Sequence, residues 1–405
     1  VNGPLGPLGL TAEQEEAREW AREFARRSVV PRALELDKDP ESSERDALLR
    51  EAAAAGILGV SMPEMLGGSG MDQISGVLVT EELAAACSGC AVLFGATTLG
   101  LLPILMSFDP GPIGRFVMPI VESWSTDEPK LAALAATEPD AGSDFIMGHP
   151  SGRVGTRARK VDGGYELNGT KVFISNGSLA DVLTVFARLD PPLADVSNPV
   201  RENMVCLAVP ADSPGFAVGQ IFDKMGQRAC PAAELVFDDV FVPEENRIGA
   251  EGQGWQINRT VMSVTRSPVG AIAVGIARSA FEHAITYAEA RVQGGSAIVG
   301  HQAVQMMLAD MAIRVDAARH LVHEAVRSIE MGRPSLKLSS MAKTFASDAA
   351  VANALDAIQI MGGYGYMHEY GVEKLLRDAK LTQIYEGTNQ INRFEIMEAI
   401  AAERA

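Results

Sequence analysis

The sequence is short of the residues that build metal and redox centres. Its four cysteines make one C-x-x-C pair, Cys87 and Cys90, and two isolated residues, Cys206 and Cys230. One pair with no second pair at ligand spacing is half a zinc site at best. Its setting, EELAAACSGCAVLFG, is small and apolar. That favours buried helix packing over metal or redox work, so reduced thiols are expected. The six histidines form no H-E-x-x-H pattern, and His320 and His323 stand three apart on a helix without further ligands. Positive charge is scarce too: 35 Lys and Arg against 52 Asp and Glu leave a net charge of -17. This disfavours non-specific nucleic-acid binding, which requires a basic footprint. A locally basic pocket for a phosphorylated ligand stays open. Charge or glycine is expected to interrupt every apolar run before bilayer length, so no membrane-spanning helix is expected. Residues 1–10 are Gly/Pro-rich and uncharged, unlike a secretory signal or a basic transit peptide. A soluble cytoplasmic protein is the expectation. No internal repeat is visible.

What is present is a chain of 405 residues, 47% hydrophobic, long enough for one to three domains and a large core. Residues 11–30 predict a helix opened by a Thr11/Gln14 capping box and stopped by Pro31. Residues 46–55 predict a second helix ended by Gly56. Residues 74–87 and 91–106 predict two apolar helices, and 114–123 a shorter one. Residues 1–128 therefore read as an all-helical domain. From 129 to 248 the texture is β-rich. Residues 131–136 are a buried strand or a helix, which length alone does not decide. Asn168-Gly169 predicts a hairpin turn between β-formers, with Phe173 and Ser175 on one face of the second strand. Residues 204–209 and 234–242 predict further strands. From 249 to 405 helices return at 255–292, 301–331, 336–361, 372–380 and from 389. Short connections between long helices predict a bundle. The expected fold class is α+β, mainly α: an N-terminal helical domain, a middle β-domain and a C-terminal four-helix bundle. A cleft is expected where the β-domain meets the bundle.

One stretch invites chemistry, Ile384-Tyr385-Glu386-Gly387-Thr388-Asn389-Gln390. A carboxylate with few charged neighbours and an apolar approach (Leu381, Ile384, Tyr385) should have a raised pKa and suit proton abstraction near neutral pH. Residue type alone does not separate such a base from an exposed helix-cap glutamate. The TEPDAGSD run at 137–144 is turn-rich, and Gly142 and Ser143 can offer donors to phosphate or carbonyl oxygens. Phe173 and Ser175 can give a planar ligand a ring and a hydroxyl. The glycines of 356–365 permit close backbone approach. They lack the strand-then-helix setting of a dinucleotide fingerprint.

In order and spacing, these pieces resemble the FAD-dependent acyl-CoA dehydrogenases. The matching runs are TEPDAGSD, LNGTKVFISNG at 167–177, KMGQRA at 224–229, FDDVFVP at 237–243, the Arg291 to Gln302 segment, IQIMGGYGY at 358–366 and IYEGTNQINR at 384–393. The resemblance implies FAD between the β-domain and the bundle. Ala136, Thr137, Gly142, Ser143, Phe173 and Ser175 would line the flavin, Phe173 standing where tryptophan is common. Arg291, Gln302, Gln359 and Gly363 would hold the ADP half, the first two from a neighbouring subunit, with Thr388 and Gln390 completing that site. Glu386 matches the catalytic base for α,β-desaturation of an acyl thioester, Arg266 an orienting arginine. Ser143, Arg266, Tyr385 and Gly387 would meet the substrate. Thr265 occupies the alternative base position of some members and cannot act as one. The resemblance further implies a homotetramer (a dimer is the alternative) and an electron-transfer flavoprotein as acceptor.

Three departures stand out. The 145–154 loop (FIMGHPSGRV) is longer than usual, and either reshapes the pocket or a subunit contact or is an inert insertion. Gly294 stands where an aromatic residue often packs on FAD. Ser263 replaces an acidic residue, which leaves coenzyme A against a carrier-protein thioester open. An oxidase or carrier-linked desaturase of the same fold is the alternative reading, and a non-enzymatic scaffold a third.

Overall fold

A computed structural model describes residues 9–404. Residues 1–8 of the Gly/Pro-rich start lie outside that range. Helix α1 (Ala12–Phe24) opens with the Thr11/Gln14 capping box, both reciprocal bonds present. Pro31 does not stop the helical path as expected. It sits at the start of a 3₁₀ turn, Val30–Arg32, where its missing N–H is tolerated. The chain then turns helical again over Ala33–Lys38. Helix α2 (Ser43–Ala54) ends before the left-handed Gly56. The two apolar helices expected around Cys87 are one continuous element, α3 (Gln73–Met106), kinked where Cys87 has extended backbone angles.

The β-domain is an eight-stranded mixed sheet: β1 (Ala132–Ala135), β2 (Arg157–Val161), β3 (Gly164–Ser175), β4 (Val182–Asp190), β5 (Met204–Pro210), β6 (Phe216–Ile221), β7 (Ala232–Pro243) and β8 (Arg247–Ile248). Their order is β6-β7-β3-β2-β4-β5-β8, with β1 running parallel to β4. Side chains alternate between two cores, as strand periodicity requires. Leu183, Val185, Val205 and Leu207 fill the core of the β-domain itself, while Phe186, Met204, Cys206 and Ala208 join the helical core. Burial on both faces explains why β5 reads as an apolar run and β4 as a largely apolar one without polar alternation. Asn168-Gly169 is not a hairpin turn. Both residues lie inside β3, where the register with β7 shifts. Asn168 donates from Nδ2 to Asp239 Oδ1 and accepts from the Asp239 N–H. The extra residue is on β7, where Asp238 and Asp239 stand against Asn168, and Gly169 admits the Thr156 backbone, which a Cβ there would meet at 2.6 Å.

The C-terminal helices are α4 (Gly254–Ala290), α5 (Gln302–Glu330), α6 (Leu336–Met361), α7 (Val372–Thr382) and α8 (Asn389–Glu403). Glycine brings α4 close to its neighbours: a Cβ on Gly275 would lie 2.6 Å from the Glu81 carbonyl oxygen of α3. Contrary to the expectation from sequence, α3 and α4 are both long and apolar enough to cross a membrane. Both are mostly buried within the protein, which accounts for their hydropathy. The architecture is the expected one: helices, β-domain, helical bundle.

Candidate active site

The turn between α7 and α8 carries Glu386. Its closure is local: the Asn389 N–H donates to the Gln383 carbonyl at 3.0 Å, and the Thr388 side chain caps α8 by accepting from the Ile391 N–H. Within it Glu386 has φ 51° and Gly387 φ 86°. The first is a strained conformation for a residue with a Cβ, of the kind that clusters at functional sites. The second suits glycine, and a Cβ on Gly387 would also lie 2.9 Å from Arg266 Nη2.

Three helices hold this turn. From α4, Thr265 donates its hydroxyl to Glu386 Oε2 at 2.8 Å. Arg266, fully buried, donates from Nε to the Glu386 carbonyl at 2.9 Å and from Nη1 to Ser340 Oγ at 2.8 Å, and it pairs with Glu395 of α8. Thus Arg266 orients the backbone of Glu386 and not its carboxylate. From α6, Lys343 donates to the Gly387 carbonyl at 2.8 Å and to Asn389 Oδ1 at 3.0 Å. From α8, Asn392 Nδ2 donates to the same carbonyl at 2.7 Å. Among the described residues the Glu386 and Gly387 N–H groups have no protein acceptor.

Desolvation by the surrounding protein raises the Glu386 carboxyl above its ordinary value, opposed by the Thr265 hydrogen bond and the Arg266 and Lys343 charges. Burial pushes the Lys343 ammonium down to about 7. Burial also raises the Tyr385 phenol, whose hydroxyl is buried without a partner. Of the residues expected from sequence, Glu386, Tyr385 and Gly387 lie in this turn and Arg266 bonds to it. Sequence reasoning missed Lys343, whose signal was a lone cation inside the small-residue run Ser339-Ser340-Met341-Ala342-Lys343. It also excluded Thr265 as a base without assigning the hydrogen bond it makes.

The other expected site residues fall into two further groups. Thr137 accepts from the Val172 N–H and the Ala136 carbonyl from Lys171 Nζ, which tie the TEPDAGSD run to β3. Glu138 anchors the run in a buried ion pair with Lys171 at 2.7 Å. Glu138 also accepts from the Thr156 N–H at 3.1 Å, so it fixes the end of the long 145–154 loop. Trp255 Nε1 donates to the Phe145 carbonyl at 2.9 Å and Arg201 Nε to the Gly148 carbonyl at 3.1 Å, holding the same loop. Gly142 precedes the short helix Ser143–Met147, and Ser143 is exposed. Phe173 is 63% exposed with φ 60°, its ring 4.8 Å from that of Phe222. It lies in a bulge of β3, between Lys171 and Ile174, so the two-residue alternation that put it on one face with Ser175 does not run through it.

The third group is a groove of about 550 Å3 at the end of α4 and α6, lined by Tyr287, Arg291, Gly362, Gly363 and Tyr364 among others. The Arg291 guanidinium lies over the Tyr364 ring. Arg291 and Gly363 line the same groove of this chain. Gln302 and Gln359 are exposed on α5 and α6, and Gln390 on α8. At Gly294 the neighbour is the His301 ring, 3.6 Å from where a Cβ would stand. Ser263 bonds within its own helix, to the Thr260 carbonyl.

Fold and site together define a class: a three-domain protein in which helices enclose a desolvated carboxylate beside free backbone donors, an arrangement suited to taking a proton from a weak carbon acid. The family descriptions "Acyl-CoA dehydrogenase, N-terminal domain", "middle domain" and "C-terminal domain" match residues 11–108, 133–240 and 252–401. The chain belongs to the acyl-CoA dehydrogenase family, flavoprotein oxidoreductases acting on CH–CH donors. It is 41% identical over 390 residues to an acyl-CoA dehydrogenase of Bacillus subtilis, covering 96% of this chain and 98% of that one. The solved butyryl-CoA dehydrogenase of Megasphaera elsdenii is 36% identical with a TM-score of 0.89, over 98% of this chain and 100% of that one. A chain in the solved structure of the electron transferring flavoprotein of Acidaminococcus fermentans is 37% identical, also with a TM-score of 0.89, over 98% and 99%.

Proposed function

We propose that the protein catalyses FAD-dependent α,β-dehydrogenation of an acyl-CoA to the 2-enoyl-CoA, with Glu386 as the base. The observation that carries this reading is a desolvated carboxylate whose neighbouring cations are bonded to backbone carbonyls, which leaves it basic. When bound, FAD supplies the acceptor, at flavin N5, for the hydride that leaves Cβ. Glu386 takes the proton from Cα, and Thr265 steadies the carboxylate through Oε2. The free N–H of Glu386 polarises the thioester carbonyl, and so acidifies the α-proton. Burial of the carboxylate by the surrounding protein keeps it basic.

The residues present fit the cofactor. Phe173 offers an exposed ring braced by Phe222, and the groove beside Arg291 is open at Gly363, where a Cβ would meet nothing within 4 Å. We assign Ala136, Thr137, Gly142, Ser143, Phe173 and Ser175 to the flavin, and Arg291, Gln302, Gln359, Gly363, Thr388 and Gln390 to the ADP half. Ser143, Arg266, Tyr385 and Gly387 are assigned to the substrate side. The electron acceptor in this reading is an electron-transfer flavoprotein, supported by the likeness to the Acidaminococcus chain. A homotetramer accords with the exposed apolar residues Met306, Ile313, Phe345, Leu355, Phe394 and Met397 on the outer bundle helices.

The test is anaerobic mixing of the purified FAD-loaded protein with butyryl-CoA. Bleaching of the flavin with release of crotonyl-CoA is expected, and Glu386→Gln should slow it by about 10²–10⁴-fold. No bleaching with butyryl-CoA or longer acyl-CoAs, in a protein that holds FAD, would overturn the substrate class. A Glu386→Gln variant reducing its flavin at the normal rate would overturn the base.

A further inference from the structure

No proton or hydride in the step just described passes through Lys343, yet this lysine is fully buried and bonded to the residue after the base. Two successive carbonyls of the strained turn are bonded to two cations from different helices: Glu386 to Arg266 of α4, and Gly387 to Lys343 of α6. The cations differ in their remaining partners. Arg266 is paired with Glu395, so most of its charge is answered at that end. The hydrogen bonds of Lys343 go to a carbonyl and to an amide oxygen, both neutral. Its ammonium is therefore the less compensated charge facing the carboxylate.

We propose that Lys343 is a positioning residue of the dehydrogenation: it pins the Gly387 carbonyl to keep Glu386 in its left-handed conformation, and its charge is the counterion against which that carboxylate ionises. The proposal rests on Glu386 being the base. The groups around the pair come from every packed element. They are Thr265 and Arg266 of α4, Asp348 of α6, Arg393 and Glu395 of α8, and Tyr385 of the turn. Of these, Arg266 and Arg393 oppose the lysine charge, whereas Glu386 and Asp348 favour it. The coupling is reciprocal: the lysine's proton favours the ionised carboxylate, and the ionised carboxylate holds the lysine's proton.

The experiment uses the FAD-loaded full chain, butyryl-CoA and stopped-flow bleaching from pH 5 to 10, with Lys343→Met, Lys343→Gln, Lys343→Arg and Glu386→Gln. In the Met and Gln variants the acid limb of the rate profile should move to higher pH by about one unit. The plateau rate should fall about tenfold, with butyryl-CoA affinity changed less than about twofold. Arginine should return the limb toward its wild-type position. A second readout does not depend on turnover. The lysine releases its proton near pH 7 when folded, against 10.5 when unfolded. Wild-type thermal stability should therefore gain a rising contribution across that interval, which Lys343→Met lacks. Limbs left in place in both neutral variants, or failure of both to fold and hold FAD, would reduce Lys343 to a structural residue and overturn the proposal. Loss of bleaching in Glu386→Gln alongside an unmoved Lys343→Met limb would overturn this proposal and spare the base. Normal bleaching in Glu386→Gln would remove both.

Discussion

Glu81 and Glu386 are both enclosed glutamates beside arginines of the same long helix, and they are driven in opposite directions. Glu81 of α3 accepts from Arg319 Nε at 2.9 Å and Nη2 at 2.8 Å, and pairs with Arg278 of α4 at 3.1 Å. Burial alone would raise its pKa, but the two guanidiniums win and hold its carboxyl down to about 2. At Glu386 burial wins. The difference is where the donors end. Arg278 and Arg319 reach carboxylate oxygens, while Arg266 and Lys343 reach the carbonyls of residues 386 and 387. Nearby cations lower both carboxyls, but at Glu386 they act from the backbone carbonyls and desolvation outweighs them, whereas at Glu81 guanidiniums set against the carboxylate oxygens outweigh desolvation. One bundle thus contains a glutamate tied into ion pairs and a glutamate whose carboxyl is held above its ordinary value, as the proposed base requires.

The largest effect that tests this contrast is expected at Arg266. Arg266→Met strips the Glu386 carbonyl of its donor and leaves Glu395 buried without its closest cation. Losing one partner of a buried pair typically destabilises by about 3–5 kcal/mol. Urea unfolding should show that loss, and flavin bleaching should slow as well, because the base turn is released. Glu81→Gln comes next. It should destabilise at pH 7 by about 3 kcal/mol, because Arg319 loses its two-pronged carboxylate partner and keeps only Asp316, while Arg278 keeps Glu82. The sign with pH follows from a folded carboxyl held below 4.5, its unfolded value. That stability is present above about pH 4.5 and is lost as pH falls toward 2, so the variant should lose the corresponding part of the wild-type acid-unfolding slope. Its bleaching rate should stay within about twofold of wild type, since Glu81 has no part in the proposed chemistry. A tenfold slower Glu81→Gln enzyme would break the distinction between the two glutamates.

The parts legible in the sequence were those with a local signal. The α1 capping box, the long apolar helices and the Glu386 turn followed from neighbouring residue types. The Asn168-Gly169 hairpin failed because the dipeptide runs on within β3, opposite a bulge of β7, with the Thr156 backbone against the glycine. Strand β4 was not anticipated at all, since its residues face two cores at once and show no alternation. Pro31 failed as a stop because a 3₁₀ turn absorbed it. At the site, residue type made Glu386 a candidate and the family resemblance added Arg266, but neither gave what Arg266 bonds. Lys343 meets Gly387 from 44 residues away in sequence, a juxtaposition that only helix packing creates.

Thr265→Val probes the contrast most finely, because the Thr265 hydroxyl is the one side-chain hydrogen bond to the Glu386 carboxylate among the described residues. Valine keeps the shape and removes the donor. The ionised form loses a bond of the kind worth about 1.5–3 kcal/mol to a charged group, part of which returns through relaxation. At roughly 1.4 kcal/mol per unit, the carboxyl should rise by about one further unit. The base works only when ionised, so the acid limb of bleaching should shift to higher pH by that amount, with a plateau little changed. Stability carries the same sign: a carboxyl already raised when folded keeps its proton longer than the unfolded chain does. Stability therefore falls as pH rises from 4.5 through the raised value, and the variant should fall further. Thr265→Ser should restore both. An unmoved limb in Thr265→Val would mean that the Arg266 and Lys343 charges govern this carboxylate from their carbonyls, and that Glu386 stands closer to Glu81 than its hydrogen bonds suggest.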